Sequence, residues 1–193
     1  MKFTEEKLEQ AFTELLINEG FVHCLGNTIT RAADEVIIEE DLIQYLLTKY
    51  ASNQITITEA KSIALQLKTL PASDLYESNK TILRWLSDGF ILKRENRNQK
   101  DIHIELIDYN GLDAQLASLD LDILQVSEQA ADYAIDCNIY KFVNQLEIAG
   151  SETRIPDGII YINGLPLVVF EFKSAIREEA TVFDAFNQLT IRY

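Results

Sequence analysis

The 193-residue sequence is 47% hydrophobic and 25% charged and has three prolines, a composition that excludes intrinsic disorder and collagen-like structure. Its 17 basic and 31 acidic side chains give a net charge of −14, so the chain as a whole repels polyanions and is predicted to be a poor DNA binder by itself. It has no apolar run of about 18 residues and no signal-peptide pattern at its N-terminus, so we expect a cytoplasmic protein without a membrane partner.

Hydrophobic periodicity predicts one helix near the N-terminus and three more in succession. Thr4 can act as an N-cap ahead of acidic first-turn residues, and apolar residues then recur at steps of three and four up to Gly20. We therefore predict a helix from Glu5 to Gly20. The same reasoning predicts helices over 37–50, 58–70 and 73–86, which makes 36–87 a mainly helical segment.

Alternating patterns later in the chain predict strands. Residues 90–92 and 102–107 are predicted to form a hairpin, and further strands are predicted at 119–126 and 142–148. A polar stretch at 127–138 separates the last two, and 111–113 is the best candidate for a loop.

The connection inside the first predicted hairpin is the one basic run of the sequence, formed by Lys93, Arg94, Arg97 and Lys100. A solvated loop is the favoured interpretation of this run. The alternative is an arm that contacts phosphate, with Lys93 and Arg94 as DNA-contacting residues.

The two cysteines and two histidines do not indicate a disulfide framework or a zinc site. Cys24 and Cys137 are isolated, and His23 and His103 do not complete a metal-binding pattern with them. We expect both cysteines to be buried small hydrophobic residues.

The sharpest pattern lies at 154–173, where two largely apolar strands flank Asn163-Gly164, a strong signal for a two-residue hairpin turn. Strands this apolar belong in a sheet that is covered on both faces. A helix is predicted to follow at 181–192. These elements together predict an α/β fold with a sheet flanked by helices.

This hairpin also carries the residues best suited to chemistry. Glu171 and Lys173 are two residues apart, so their side chains are expected on the same face of a strand. Asp157 begins the partner strand and is expected to come close to Glu171. Paired carboxylates suit Mg²⁺, and a neighbouring lysine can assist phosphodiester cleavage. The alternative is structural, with Asp157 capping a turn and Glu171 paired with Lys173.

The residues around this set carry a resemblance to a known family. Pro156-Asp157 before a hairpin and Glu171-Phe172-Lys173 at the end of an apolar strand resemble the PD-(D/E)xK nuclease core, a central mixed β-sheet flanked by helices. The surrounding sequence resembles the N-terminal nuclease domain of the R subunit of type I restriction-modification enzymes. The segments that carry this second resemblance are 73–80, 107–109, 154–158, 162–167, 170–175 and 185–193.

The resemblance implies roles for individual residues. Asp157 and Glu171 would be metal ligands and catalytic residues, with Lys173 as the catalytic lysine. Gln188 would lie near the scissile strand as a further catalytic residue, and Tyr193 is a possible DNA-contacting residue.

Glu9, on the first predicted helix, resembles the acidic residue that often completes the metal site in this fold. The alternatives for this third ligand are Glu5, Glu6 and Glu14, and the structural interpretation of Glu9 is a solvated helix face.

The resemblance further implies a type I site-specific deoxyribonuclease that cleaves unmodified foreign duplex DNA. Mg²⁺ would be the cofactor, with Mn²⁺ as a substitute, and the specificity and modification subunits would be partners. Cleavage would be coupled to ATP-driven translocation by motor domains. The sequence contains no phosphate-loop motif, so we expect ATP to bind outside it and the 193 residues to form one nuclease domain fragment, with a helical insert at 36–87 and the sheet at 88–193.

Two other functions stay open at this point. One is a non-catalytic docking module with a nuclease-like fold. The other is a stand-alone repair or transposon-type nuclease that uses the same core.

Overall fold

The computed structural model describes residues 4–110, 136–150, 152–173 and 186. The described helices and strands confirm the predicted α/β class. They are α1 (Glu5–Asn18), β1 (Val22–Leu25), α2 (Glu39–Lys49), α3 (Ile57–Lys68), α4 (Leu75–Ser87), β2 (Phe90–Leu92), β3 (Ile102–Ile104), β4 (Tyr140–Asn144), β5 (Gly158–Ile162) and β6 (Leu165–Phe170). The chain divides into two compact units, one of Met1–Ile38 with Tyr140–Tyr193 and one of Glu39–Ile139.

The first unit contains a mixed four-stranded sheet in the order β1-β4-β5-β6. β1 is parallel to β4, and the other neighbours are antiparallel. The turn predicted at Asn163-Gly164 joins β5 to β6, and both residues have positive φ, 53° and 74°. A two-residue turn of this kind matches the twist of its strands, and glycine adopts the second position without a steric penalty.

The first helix packs on this sheet through Phe12. Its ring lies 4.6 Å from the ring of Phe170, 5.5 Å from Phe172 and 5.6 Å from Phe142, measured between centroids. Gly158 makes this packing possible, because a Cβ at that position would collide with the ring of Phe142. Phe12 therefore fixes α1 over the end of the sheet where β5 begins and β6 ends.

A separate hydrophobic cluster anchors the segment that follows β1. The hydroxyl of Tyr161 donates a hydrogen bond to the backbone carbonyl of Val36 at 2.9 Å, and the backbone N–H of Ile38 donates to the carbonyl of Gly164 at 2.9 Å. The buried members of the cluster are Ile38, Val143, Leu146, Ile159 and Tyr161.

The second unit contains α2, α3, α4 and a two-stranded antiparallel sheet of β2 and β3. Thr56 and Glu59 form a reciprocal capping box at the start of α3, which the amino-acid pattern Thr-x-x-Glu favours. Lys49 pairs with Glu105 at 2.7 Å and with Asp108 at 3.1 Å. α2 and α3 pack against each other, and their buried apolar side chains are Leu42, Tyr45, Leu46, Ala60, Ile63, Ala64 and Leu67.

Several expectations need correction. β1 was not predicted, and the strand expected at 142–148 ends at Asn144, because Gln145 adopts a left-handed conformation with φ of 53°. The helices α2, α3 and α4 do lie within the helical segment expected at 36–87, and the second unit combines them with β2 and β3. Cys24 and Cys137 are half-buried rather than buried.

Some predicted elements lie outside the described residues. These are the loop at 111–113, the strand at 119–126, most of the polar stretch at 127–138 and, apart from the helical residue Phe186, the helix at 181–192. Among the helices that the structure describes, none is long and apolar enough to cross a membrane.

Candidate active site

Two of the three predicted metal ligands, Asp157 and Glu171, flank the open end of the β5–β6 hairpin. Gly158 and Phe170 are the last paired residues there, so Asp157 and Glu171 occupy the next facing positions. Oδ2 of Asp157 accepts a hydrogen bond from the backbone N–H of Phe172 at 2.6 Å. The carboxylate of Asp157 is thereby held at the backbone between Glu171 and Lys173.

Glu171 and Lys173 form an ion pair with a distance of 2.8 Å between Oε1 and Nζ. The side chain of Glu171 is 5% exposed and that of Lys173 is 26% exposed. A buried carboxylate without a compensating charge would be costly, so the neighbouring ammonium group offsets part of the cost of burying the Glu171 side chain. The pair is compatible both with the catalytic interpretation and with the structural alternative stated above.

Glu9 is connected to this site through Asn144, the last residue of β4. Nδ2 of Asn144 donates to Oε1 of Glu9 at 2.6 Å and to the backbone carbonyl of Asp157 at 3.2 Å. Glu9 also lines a cavity of about 340 Å³, together with Glu6 and Glu14. Of the acidic residues considered on α1, Glu9 is the one with a described link to Asp157.

The structure does not bring Glu9, Asp157 and Glu171 together as three carboxylates around one point. Within the described ranges, no group of three or more histidine, cysteine, aspartate or glutamate side chains is arranged to hold a metal ion. Mg²⁺ does not require such a group, because it is commonly bound through one or two carboxylates and completes its shell with water and substrate phosphate. The carboxylates of Asp157 and Glu171 fit a hard cation in donor type and in number.

The basic run between β2 and β3 was predicted to be either a solvated loop or an arm that contacts phosphate. One of its residues, Arg94, fits neither interpretation. Arg94 is neither solvated nor presented to a ligand: its side chain is 2% exposed and its Nε lies 2.7 Å from Oε1 of Glu59. The guanidinium also donates to the carbonyls of Asn53 and Gln54, at 2.8 and 2.9 Å. Lys93 is exposed, so of the two possible DNA-contacting residues in this run it alone has the accessibility that such a role needs.

Family comparison identifies the chain. A family model described as the N terminus of the type I restriction enzyme R protein matches residues 2–193. The chain belongs to this family. The match covers nearly all of the sequence and confirms the resemblance that the hairpin residues suggested.

Relatives of this R-protein N-terminal domain include two endonuclease subunits with 35% identity. The type I restriction enzyme HindI endonuclease subunit of Haemophilus influenzae matches over 118 residues, 60% of this chain and 9% of the relative. The putative MjaVIIIP endonuclease subunit of Methanocaldococcus jannaschii matches over 110 residues, 56% of this chain and 8% of the relative.

A third relative matches over almost the whole chain. The putative MjaIXP endonuclease subunit of Methanocaldococcus jannaschii is 26% identical over 189 residues, 93% of this chain and 16% of the relative. The chain therefore spans less than a fifth of the length of any of these three relatives.

Two residues next to the site were not singled out from the R-protein sequence. The sequence pattern gives His23 no metal-binding partner and places Asn144 only within a predicted strand, yet His23 Nε2 lies 2.8 Å from Oδ1 of Asn144. A polar residue directly after the apolar pair Phe142-Val143 was the available signal for Asn144. Gln188 and Tyr193 lie outside the described residues.

Proposed function

We propose that this R-protein N-terminal domain is a Mg²⁺-dependent endonuclease domain that cleaves phosphodiester bonds in duplex DNA. The observation that carries the proposal is the hydrogen bond between Asp157 and the backbone of Phe172. This contact holds the Asp157 carboxylate at the backbone between Glu171 and Lys173, whose side chains form an ion pair. Endonuclease subunits among the relatives support the same activity.

Asp157 and Glu171 are the residues that would hold the divalent cation, with Mn²⁺ as a substitute for Mg²⁺. When bound, the cation would supply Lewis-acid stabilisation of the phosphoryl oxygens and acidify a bound water. Glu9 is linked to the backbone of Asp157 by the Asn144 amide. It is the candidate on α1 for a contact to the cation through a water molecule.

Lys173 contributes positive charge next to the carboxylates. An ammonium group has three N–H donors, of which the Glu171 pair uses one. The other donors can orient the attacking water and hydrogen-bond to the negative charge that develops on the phosphate during the reaction. Gln188 and Tyr193 are proposed to contact the DNA strand near the scissile bond.

The family and the charge support a proposal for the substrate and the partners. A domain with a net charge of −14 does not attract DNA strongly, so we propose that motor domains and the specificity and modification subunits supply most of the DNA affinity. In this arrangement the enzyme cleaves unmodified foreign DNA, and ATP is bound and hydrolysed outside the 193 residues.

The docking alternative receives some support from the Glu171–Lys173 ion pair, since a structural pair would also be retained in a non-catalytic module. Glu171→Gln in an R subunit of the relatives' length distinguishes the two functions. The nuclease function requires that the variant assemble with its partner subunits and hydrolyse ATP but lose DNA cleavage by at least about 100-fold, the scale at which single electrostatic groups act in catalysis. Normal cleavage with impaired assembly in size-exclusion chromatography would instead favour the docking module.

A further inference from the structure

Asn144 occupies a junction between three elements of the first unit. It is the last residue of β4, it pairs with Gly158 at the start of β5, and it is 4% exposed. Its side chain contacts Glu9 on α1 and the backbone of Asp157 just before β5. On the β1 side it contacts His23.

The hydrogen-bonding pattern uses every polar atom of the Asn144 amide. The NH₂ group has two donors, and it meets two acceptors, the carboxylate of Glu9 and the carbonyl of Asp157. The amide oxygen meets Nε2 of His23, which must therefore carry the hydrogen. Because carboxylate and carbonyl oxygens cannot donate, this arrangement determines the orientation of the amide.

Asp157 is consequently held at two points. Its backbone carbonyl accepts from Asn144 at 3.2 Å, and its carboxylate accepts from the N–H of Phe172 at 2.6 Å. The first contact fixes the position of the Asp157 backbone, and the second fixes the position of its carboxylate.

We infer that Asn144 is a positioning residue for the metal site, holding Glu9 and Asp157 at a fixed separation, with its own amide oriented by His23. The inference rests on the proposed metal-dependent function and assigns this role to an uncharged residue that would not itself bind the metal. Residues that orient metal ligands typically change metal affinity or activity by 10- to 100-fold when they are replaced.

Asn144→Leu is the informative substitution. Leucine has a similar size but no polar atoms, so Glu9 and the Asp157 carbonyl both lose their donor. Asn144→Asp is less suitable, because it would place a new carboxylate against two acceptors and could bind the metal directly. Asn144→Ser, which leaves space for a bridging water, serves as the second variant if the leucine variant does not fold.

Asn138 in the second unit offers a matched control. Its Nδ2 donates to the carbonyl of Asp108 at 2.9 Å, and its Oδ1 accepts from the N–H of Asp108 at 2.8 Å. Asn138→Leu therefore removes the same kind of side-chain-to-backbone contact without touching a proposed metal ligand.

The experiment measures Mn²⁺ binding by the 193-residue chain, from the electron paramagnetic resonance signal of free Mn²⁺, alongside the melting temperature without metal. We expect both Asn144→Leu and Asn138→Leu to lower the melting temperature. Only the Asn144 variant should weaken Mn²⁺ binding, by 10- to 100-fold.

The possible outcomes are distinct. If the wild type binds Mn²⁺ and Asn144→Leu, or the serine variant in its place, binds within about twofold of it, the positioning role is wrong while the proposed function stands. Equal weakening by Asn144→Leu and Asn138→Leu would also overturn the inference, because general destabilisation would then explain the loss. If the wild type binds no Mn²⁺ at millimolar concentration, either alone or with a short duplex, the proposed metal site fails and the inference fails with it.

Discussion

The carboxylate of Asp157 accepts a hydrogen bond from the backbone N–H of Phe172 at 2.6 Å. Phe172 lies between Glu171 and Lys173 in the chain, and its own ring packs 5.5 Å from that of Phe12 on α1. The hydrophobic contact and the hydrogen bond thus act on the same residue. Packing of α1 therefore bears on the segment that carries the acidic and basic groups of the candidate site.

Divalent cations should stabilise the folded chain, because a cation bound by Asp157 and Glu171 binds the native state only. At 100 times its dissociation constant, the cation would add about 2.7 kcal/mol to the free energy of unfolding. We expect Mg²⁺ or Mn²⁺ to raise the melting temperature of the wild type, and Asp157→Asn to lose most of this shift. Differential scanning fluorimetry, with and without a short DNA duplex, measures the metal-dependent shift in melting temperature. An unchanged shift in the Asp157 variant would contradict the assignment of Asp157 as a metal ligand.

Lys173→Ala should behave differently from the carboxylate variants in the same assay. Lysine is not a metal ligand, and its ammonium group occupies Oε1 of Glu171 at 2.8 Å. Removing it should leave the metal-dependent shift at least as large as in the wild type while the variant becomes inactive in cleavage. A lysine variant that loses the shift as completely as Asp157→Asn would show that Lys173 is needed to position the carboxylates.

The isolated chain should bind duplex DNA weakly at physiological salt. A net charge of −14 opposes binding, and buried Arg94 is not accessible to phosphate. Fluorescence anisotropy should show no saturation below roughly 10 μM, in keeping with nonspecific dissociation constants on the order of 10⁻⁴ to 10⁻⁶ M. Submicromolar binding by the chain alone would contradict this expectation.

The buried pair of Arg94 and Glu59 should be important for stability. Arg94→Met leaves the carboxylate of Glu59 without its counter-charge and should lower the free energy of unfolding by about 3–5 kcal/mol. The matched control is Lys80→Met, which removes an exposed pair with Glu77 and should cost no more than about 1 kcal/mol. Urea denaturation of both variants gives the comparison, and equal effects would contradict the account.

The same pair predicts a pH dependence. Burial alone would raise the pKa of Glu59, but hydrogen bonds from Thr56, Arg94 and the N–H of Glu95 outweigh it, so the pKa lies below its ordinary value of 4.5. The unfolded state then binds a proton more readily, and the contribution of Glu59 to stability is present above pH 4.5 and is lost as pH falls through the lower folded value. Glu59→Gln should make unfolding less acid-sensitive in that range, as urea denaturation at several pH values would measure.

Local sequence signals predicted the hairpin and the helices well. Asn163-Gly164 determines the turn, and the spacing of Asp157 and Glu171 around it follows from the pairing of antiparallel strands. The start of α1 after Thr4 and the end of α3 before Pro71 were also readable, because capping and helix termination depend on nearby residues.

Contacts between distant residues were not predictable in this way. β1 has only four residues, and its pairing with β4 joins His23 to a strand more than 100 positions later. The same holds for the link from Glu9 to Asn144 and for the burial of Arg94 against Glu59, since a polar or charged side chain in a sequence carries no indication of its partner. The sequence proposed Glu9 as the third acidic residue, but its link to the site and the role of the Asn144 amide required the structure.

Cleavage of unmodified DNA by an assembled enzyme tests the central proposal most directly. The R subunit would carry Asp157→Ala, Glu171→Ala or Lys173→Ala, with Lys80→Ala as the control for a lysine outside the site. The account requires each of the three site variants to abolish cleavage while ATP hydrolysis and translocation stay close to wild type, and the Lys80 variant to cleave normally. Wild-type cleavage rates in any one of the three site variants would contradict it.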